Sequence, residues 1–374
     1  MRIKFNASPE QVELIKLMGS KNKLVSAEAV QAFAAVIGPI VQEVLLQAGT
    51  ASMLFTDETF SEDDNPSFPL DLYYGQAEGY IPVWSQTQAG GLATSTVEGY
   101  SEMKVSTYKL DSAVSLYKKY ASKVRLNAIA KALEWMSQEF LLKQNLNAWS
   151  VLTRALAEAS TNALRHVIRA NTAGVLQVKD FNDILVRVKR INTAFNTGTP
   201  VSLPSEGITN FVMSPEMKAQ IRSFAYEPQN TRAIPNTDES TAVPLPNSVR
   251  ENIWNNAGAS SLWGIDFTDI NELGVNQTYN TLFDNYAGAT AYTKLDGTSS
   301  AVFDGATEEL ILGVDLSRGG IVRAVITNGD HGAGTVNVQQ DDQFVTRQEK
   351  IGWYASLQES RFVLDSRALL GLLV

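Results

Sequence analysis

Between Ser101 and Ala173 the chain contains neither glycine nor proline. A stretch of that length without a breaker admits only long, uninterrupted elements. Within it Leu126, Ile129, Leu133, Met136 and Phe140 recur at steps of three and four, and Leu146, Trp149, Leu152 and Leu156 carry the stripe onward. That period is helical. It predicts one rod over about residues 122–160, roughly 55–60 Å long at 1.5 Å per residue. The sequence holds no second helical pattern of matching length to pair with it, so the rod is expected to back onto a sheet.

The segments before the rod read differently. "SPEQVELIKLMGS" has Ser8 as N-cap candidate, Pro9 at the first helical position, Gln11 completing a capping box and Gly19 as terminator. A second helix is expected over about 26–47, kinked at Gly38-Pro39. An acidic, proline-containing loop follows. Its Glu62, Asp63 and Asp64 lack the alternating ligands and turn glycine of a calcium loop. "YIPVWSQTQAGGLATSTVEGYSEMKVSTYKLDSAVSLY" alternates apolar and polar residues on both sides of Gly90-Gly91, which reads as a long β-hairpin with its tip at the glycines. Pro82 and the many small polar residues argue against a buried central strand, so the hairpin is expected to project and to offer its edges to another chain.

Beyond the rod, "DFNDILVRVKRINTAF" is a helix with Asp180 as N-cap candidate, burying Ile184, Leu185, Val188, Ile191 and Phe195. From about residue 200 to 330 short strands ("ITNFVMS", "SLWGIDF", "ELILGVDL", "GIVRAVIT") alternate with short helices ("SPEMKAQIRSF", "NSVRENIWNNAG"), the pattern of an α+β domain. The last seven residues, Ala368–Val374, contain nothing polar. A continuous apolar run without alternation suits a strand covered on both faces, and it is expected to insert under the rod.

Charge is segregated along the chain. From Leu24 to Met103 there are eleven acidic residues and no lysine or arginine; from Lys104 to Arg190 there are fifteen basic and six acidic residues; from Ile191 onward, eleven basic and twenty-one acidic. Three readings are open: solvated faces, an acidic segment of one copy lying across the basic segment of another, or a grip on nucleic acid. The overall charge of −9 and the lack of a recognised binding motif weaken the last.

The absence of cysteine excludes disulfides and thiolate metal sites, and two histidines, His166 and His331, leave little for a zinc or triad site. There is no phosphate-loop spacing and no G-x-S-x-G, so no catalytic residue and no cofactor is expected. Met1–Phe5 does not open a signal peptide, and Ala29–Leu46 is too interrupted by Gln31, Gly38, Pro39, Gln42 and Glu43 to span a bilayer.

Three stretches carry a family resemblance: "VSTYKLDSAVSLYKKYA" leading into the rod, "NFVMSPEMKAQIRSF", and "WYASLQESRFVLDSRALLGLLV" at the end. With the order of elements, they resemble the major capsid proteins of tailed double-stranded DNA bacteriophages with the Hong Kong 97-type fold. That family's closing segment often carries a proline before the final alanine, where this chain has Arg367 before Ala368.

The resemblance implies an N-terminal arm (1–50), a P-domain (51–74 and 106–199) containing the spine helix, an E-loop (75–105), an A-domain (200–330) and a return to the P-domain (331–374). It implies a non-enzymatic subunit that assembles through hexamers and pentamers into an icosahedral shell around phage double-stranded DNA held without sequence-specific contacts. Host bacterial cytoplasm would be the place of assembly and the virion capsid its destination. A separate scaffolding protein, a portal and a cement or decoration protein would be partners; no membrane is involved. An encapsulin-like nanocompartment shell is the alternative.

Inter-subunit candidates on the E-loop are Tyr80, Trp84, Gly90, Gly91, Glu98 and Glu102, facing Lys118, Lys119, Lys123 and Arg125 of a neighbouring P-domain. The E-loop contains no lysine from Gly75 to Met103, so the covalent cross-linking of some family members is not expected. Helix-like sequence begins near Ser8, so no scaffolding prodomain is expected either. Arm and hairpin are both expected to gain fixed shape only against sister copies.

Overall fold

The computed structural model describes residues 9–20, 22, 24–34, 50–61, 66–69, 102–119, 126–161, 164–193, 207–225, 230–233, 240–243, 246–255, 261–298, 300–327, 337–340 and 350–374. It is an α+β protein in two compact units, the first formed by residues 1–67, 104–148 and 323–361 and the second by residues 68–103, 149–322 and 362–374.

The expected rod is one helix, Leu126–Glu158, 33 residues and about 50 Å long. Its residues through Ala148 belong to the first unit and those from Trp149 to the second. Along it Met136, Phe140, Trp149, Leu152 and Leu156 are buried while Trp135, Gln138, Leu142 and Arg154 are exposed. Five members of the stripe read from the sequence therefore lie on the buried face, with Leu146 partly buried.

In the first unit a five-stranded sheet runs in the order Thr56–Ser61, Ile321–Thr327, Lys350–Val363, Asn337–Gln340, with Tyr108–Tyr117 also paired to Lys350–Val363. Lys350–Val363 is buried along most of its length, whereas Tyr108–Tyr117 alternates. Its Leu110, Val114 and Leu116 turn inward onto a core of Ile351, Trp353, Ala355, Leu357, Met136 and Phe140. The alternation of residues 108–117 continues the pattern of the hairpin segment beyond the E-loop bounds of 75–105. The strand instead pairs antiparallel with the late strand, from Tyr117 opposite Lys350 to Tyr108 opposite Glu359. A period of two records one covered face and does not name the neighbour that lies alongside.

The first helix, Pro9–Met18, ends where expected, with the Gly19 N–H reaching the carbonyls of Ile15 and Lys16. Residues 24–34 are helical, and the buried Ser26 hydroxyl donates to the Met18 carbonyl at 2.7 Å, joining the two stretches. Ile15, Met18, Val30 and Phe33 are buried in the same core as Trp353, whose ring lies 5.7 Å from that of Phe33. This corrects the expectation of an arm shaped only by sister copies. Residues 9–34 carry an apolar stripe large enough to be covered by their own sheet; residues 35–49 lie outside the described residues.

In the second unit a six-stranded mixed sheet runs Ser261–Leu262, Ile265–Asp269, Asn210–Met213, Leu310–Val314, Leu369–Leu373, Val167–Arg169. The final strand is antiparallel to Leu310–Val314 and parallel to Val167–Arg169, and every residue from Ala368 to Val374 is buried. Coverage on both faces is as the apolar run required. Residues 350–361 lie in the first unit, and the last strand joins the six-stranded sheet of the second, between Leu310–Val314 of the segment expected as the A-domain and Val167–Arg169 of the segment expected as the P-domain. Gly371 sits against Val167 and Leu156, and a Cβ there would lie 3.0 Å from Val167 Cγ2 and 3.2 Å from Leu156 Cδ2, so the strand lies close to both.

Helices cover this sheet. Val178–Thr193 buries Phe181, Ile184, Val188 and Ile191, and Pro215–Ser223 buries Met217 and Ile221. Asp180 is not the N-cap. It lies within the first turn, where its buried carboxylate accepts from the backbone N–H of Gln177 at 2.8 Å and from Asn171 N at 2.8 Å, the back-reaching half of a capping box. Ser214, followed by Pro215, does cap its helix, accepting from Met217 N at 3.0 Å.

Candidate assembly surfaces

Of the residues singled out for inter-subunit contact, Tyr80, Trp84, Gly90, Gly91, Glu98, Lys123 and Arg125 lie outside the described residues. Glu102 opens the strand Glu102–Lys104, exposed and paired with Ser67–Pro69. Val105 N donates to Pro66 O at 3.0 Å beside that pair. The residues that flank the segment 70–101 are thus held side by side.

Lys118 is half-buried and Lys119 exposed, at the end of the strand Tyr108–Tyr117. The antiparallel register puts Lys350 opposite Tyr117. The Lys119 and Lys350 ammonium groups lie 5.1 and 5.4 Å from the centroid of the half-exposed Tyr117 ring. Two cations therefore gather over one aromatic face at the strand end, which attracts them through its quadrupole, with Lys118 next to them in sequence. Nearer the middle of the strand the same exposed face is balanced, since Lys109 pairs with Asp111 at 3.5 Å and Tyr354 donates to Asp111 at 2.5 Å.

A second surface was not singled out from the sequence. On the long helix, Lys131, Trp135, Gln138 and Leu142 are spaced four, three and four apart, which puts them on one face. All four are exposed, Trp135 at 59% and Leu142 at 65%, and the Lys131 ammonium lies 5.3 Å from the Trp135 ring centroid. The signal was available: Trp135 and Leu142 fall between the members of the buried stripe, on the side a monomer gives to solvent. In the second unit Trp254 is 70% exposed on the helix Asn247–Asn255. Trp263 is exposed at a two-residue turn where it and Gly264 have φ of 54° and 78°, the left-handed pair that a tight hairpin demands.

The first unit holds a buried charge cluster. Glu359, with no exposed surface, accepts from Arg323 Nε at 2.7 Å, Arg361 Nε at 3.2 Å, Tyr108 Oη at 3.1 Å and Gln144 Nε2 at 3.3 Å. Burial alone would push its carboxyl up, but Arg361 and Arg323 outweigh that and hold it below the usual carboxylate range. Burial, reinforced by the Glu359 charge, pushes Tyr108 up to about 12. In the second unit burial raises Glu309, whose carboxylate takes the Ser214 hydroxyl. Among the described residues no group of three or more His, Cys, Asp or Glu could hold a metal ion, and no helix is long and apolar enough to cross a membrane.

The chain is similar to solved shell proteins. It matches the holo-SrpI encapsulin complex of Synechococcus elongatus at 14% identity, covering 73% of this chain and 75% of that one, with a TM-score of 0.40. It matches the capsid of the cyanophage P-SCSP1u at 13% identity over 85% of each chain, with a TM-score of 0.44. It matches the capsid of a native GTA particle at 11% identity over 86% of this chain and 89% of that one, with a TM-score of 0.47. No family model matches the chain, and no curated protein matches it.

Proposed function

We propose that the chain is the structural subunit of a closed protein shell, a major capsid protein of the tailed-bacteriophage type that assembles through hexamers and pentamers around double-stranded DNA. A separate scaffolding protein, a portal and a cement or decoration protein complete the particle in the host bacterial cytoplasm. The observation that carries the reading is the pairing of Ser67–Pro69 with Glu102–Lys104, which flank segment 70–101, in a chain whose next long element is the helix Leu126–Glu158. That is the element order of the family its sequence resembles. Residues 75–105, which carry no lysine or arginine before Lys104, would lie on the cationic strand end of a neighbouring copy, at Tyr117, Lys118 and Lys119. Complementary fields of this kind select partner and register more than they add affinity.

Negative-stain microscopy and sedimentation of the purified protein test the reading. Closed polyhedral particles are expected; a monodisperse monomer at high concentration overturns it. Nucleic acid inside the particle marks a capsid, and a protein cargo marks the encapsulin-like alternative. Changing Lys118, Lys119 and Lys123 together to Glu should weaken assembly, most severely at low salt where exposed charges are least screened. Assembly at wild-type yield across a salt series would remove the electrostatic part of the proposal.

A further inference from the structure

The histidine at position 166 is built into the joint that holds the final strand. It is fully buried, and its backbone carbonyl accepts from Gly371 N at 3.2 Å. Its ring Nδ1 lies 2.8 Å from the Ser366 carbonyl oxygen and 3.0 Å from that of Leu369, while Nε2 lies 2.9 Å from Thr161 Oγ1. Carbonyl oxygens only accept, so Nδ1 carries the proton and donates to both. Nε2 is then the acceptor and takes the Thr161 hydroxyl proton. The neutral ring is completely satisfied.

A charged ring is disfavoured. A second proton, on Nε2, would require the Thr161 hydroxyl to rotate from donor to acceptor, and the charge itself would sit in a fully buried site. Two charged side chains bear on the imidazole, Arg187 and Asp365. Arg187, on the helix Val178–Thr193, is buried and its Nε has no partner, so a second cation beside it would be repelled. Asp365, the carboxylate that would compensate, is already engaged by Arg367 Nε at 2.8 and 2.9 Å and by Arg318 at 3.7 Å. Burial is the main reason that His166 is held below the ordinary histidine range; its carbonyl contacts and Asp365 pull the other way without overcoming it.

We propose that His166 is an acid-operated latch on the C-terminal strand: neutral, it fastens Ser366–Leu373 to the six-stranded sheet, and on protonation it lets that segment go. The inference concerns the folded chain itself and does not depend on the shell reading. The sign follows from linkage. With the folded value depressed below the unfolded value of about 6.5, the open state binds more protons in between, so closure is fully stable above about pH 6.5 and weakens as pH falls below it.

Amide hydrogen exchange on the full chain, corrected for the intrinsic pH dependence of exchange, tests this at pH 7.5 and 5.5. Peptides covering 364–374 and 164–170 should lose protection about tenfold at the lower pH, while 350–361 in the first unit stays level. His166→Asn, whose amide donates toward the same carbonyls without titrating, should remove the difference. Unchanged protection in the wild type, or an equal loss in His166→Asn, overturns the proposal. Independently of any variant, C2-hydrogen exchange of the only two histidines in the chain, His166 and His331, gives each a midpoint. A His166 midpoint below 6.5 supports the latch; one at or above 6.5 overturns it.

Discussion

Removal of Leu370–Val374 should leave the protein insoluble and unable to assemble. The five residues form most of a strand flanked on both sides, by Leu310–Val314 and by Val167–Arg169. Their loss removes four aliphatic side chains that are buried almost completely. At about 1.5–3 kcal/mol each, these amount to about 6–12 kcal/mol before entropy, comparable to the whole stability of an ordinary domain. The flanking strands would also face each other across a gap, with ladder groups unpaired in an apolar interior. A graded companion is Gly371→Ala. The contacts at 3.0 and 3.2 Å to Val167 and Leu156 mean that both buried side chains must shift to admit a methyl, and overpacking of this kind costs about 1–3 kcal/mol, read as a lowered denaturant midpoint at unchanged slope. Soluble truncated protein that still forms normal particles would show that the strand is dispensable.

The parts of this architecture that were legible in the sequence are those whose signals are local. Ser214-Pro215 announces its helix because a hydroxyl acceptor and a fixed φ act within one turn. Met136, Phe140, Trp149, Leu152 and Leu156 announce the long helix because burial recurs with its pitch. What the sequence withheld is pairing. Residues 108–117 alternate identically whether the next strand comes from the same hairpin or from residues 350–359, more than two hundred positions away. For the same reason the apolar terminus reads as a covered strand without naming its neighbours, Val167–Arg169 on one side and Leu310–Val314 on the other. Asp180 is a one-turn version of the same error: a capping carboxylate reaching back from inside the helix uses the same residue type as one standing at its start. Of the assembly surface, the cationic residues Lys118 and Lys119 were readable as a charge block. The exposed pair Trp135 and Leu142 was missed because an apolar residue on a helix suggests core until the buried side is known.

Glu359→Gln should be the most damaging single change in the first unit. The substitution preserves shape and removes one charge, leaving the guanidinium groups of Arg323 and Arg361 buried with, among the described residues, the half-exposed Asp57, 3.2 Å from Arg323, as the remaining ion-pair partner. Breaking a buried pair from one side costs about 3–5 kcal/mol, because the remaining charge is neither solvated nor matched. Arg361 already has one guanidinium nitrogen, Nη1, without a hydrogen-bond partner among the described residues, and its guanidinium carbon lies 5.0 Å from the Phe55 ring centroid. Adding Arg323→Met and Arg361→Met to Glu359→Gln should restore much of the loss, since an apolar replacement no longer carries a desolvated charge. Acid separates this cluster from the histidine joint. The Glu359 carboxyl is depressed in the folded chain, so its contribution is complete above the unfolded value of about 4.3 and declines as pH falls through the lower folded value. Residues 350–361 should therefore lose protection only below about pH 4.3, and in Glu359→Gln that acid dependence should be gone, with the segment weakened at every pH. A variant as stable as wild type, or one that keeps the same acid transition, would mean that the two arginines are held by something other than Glu359.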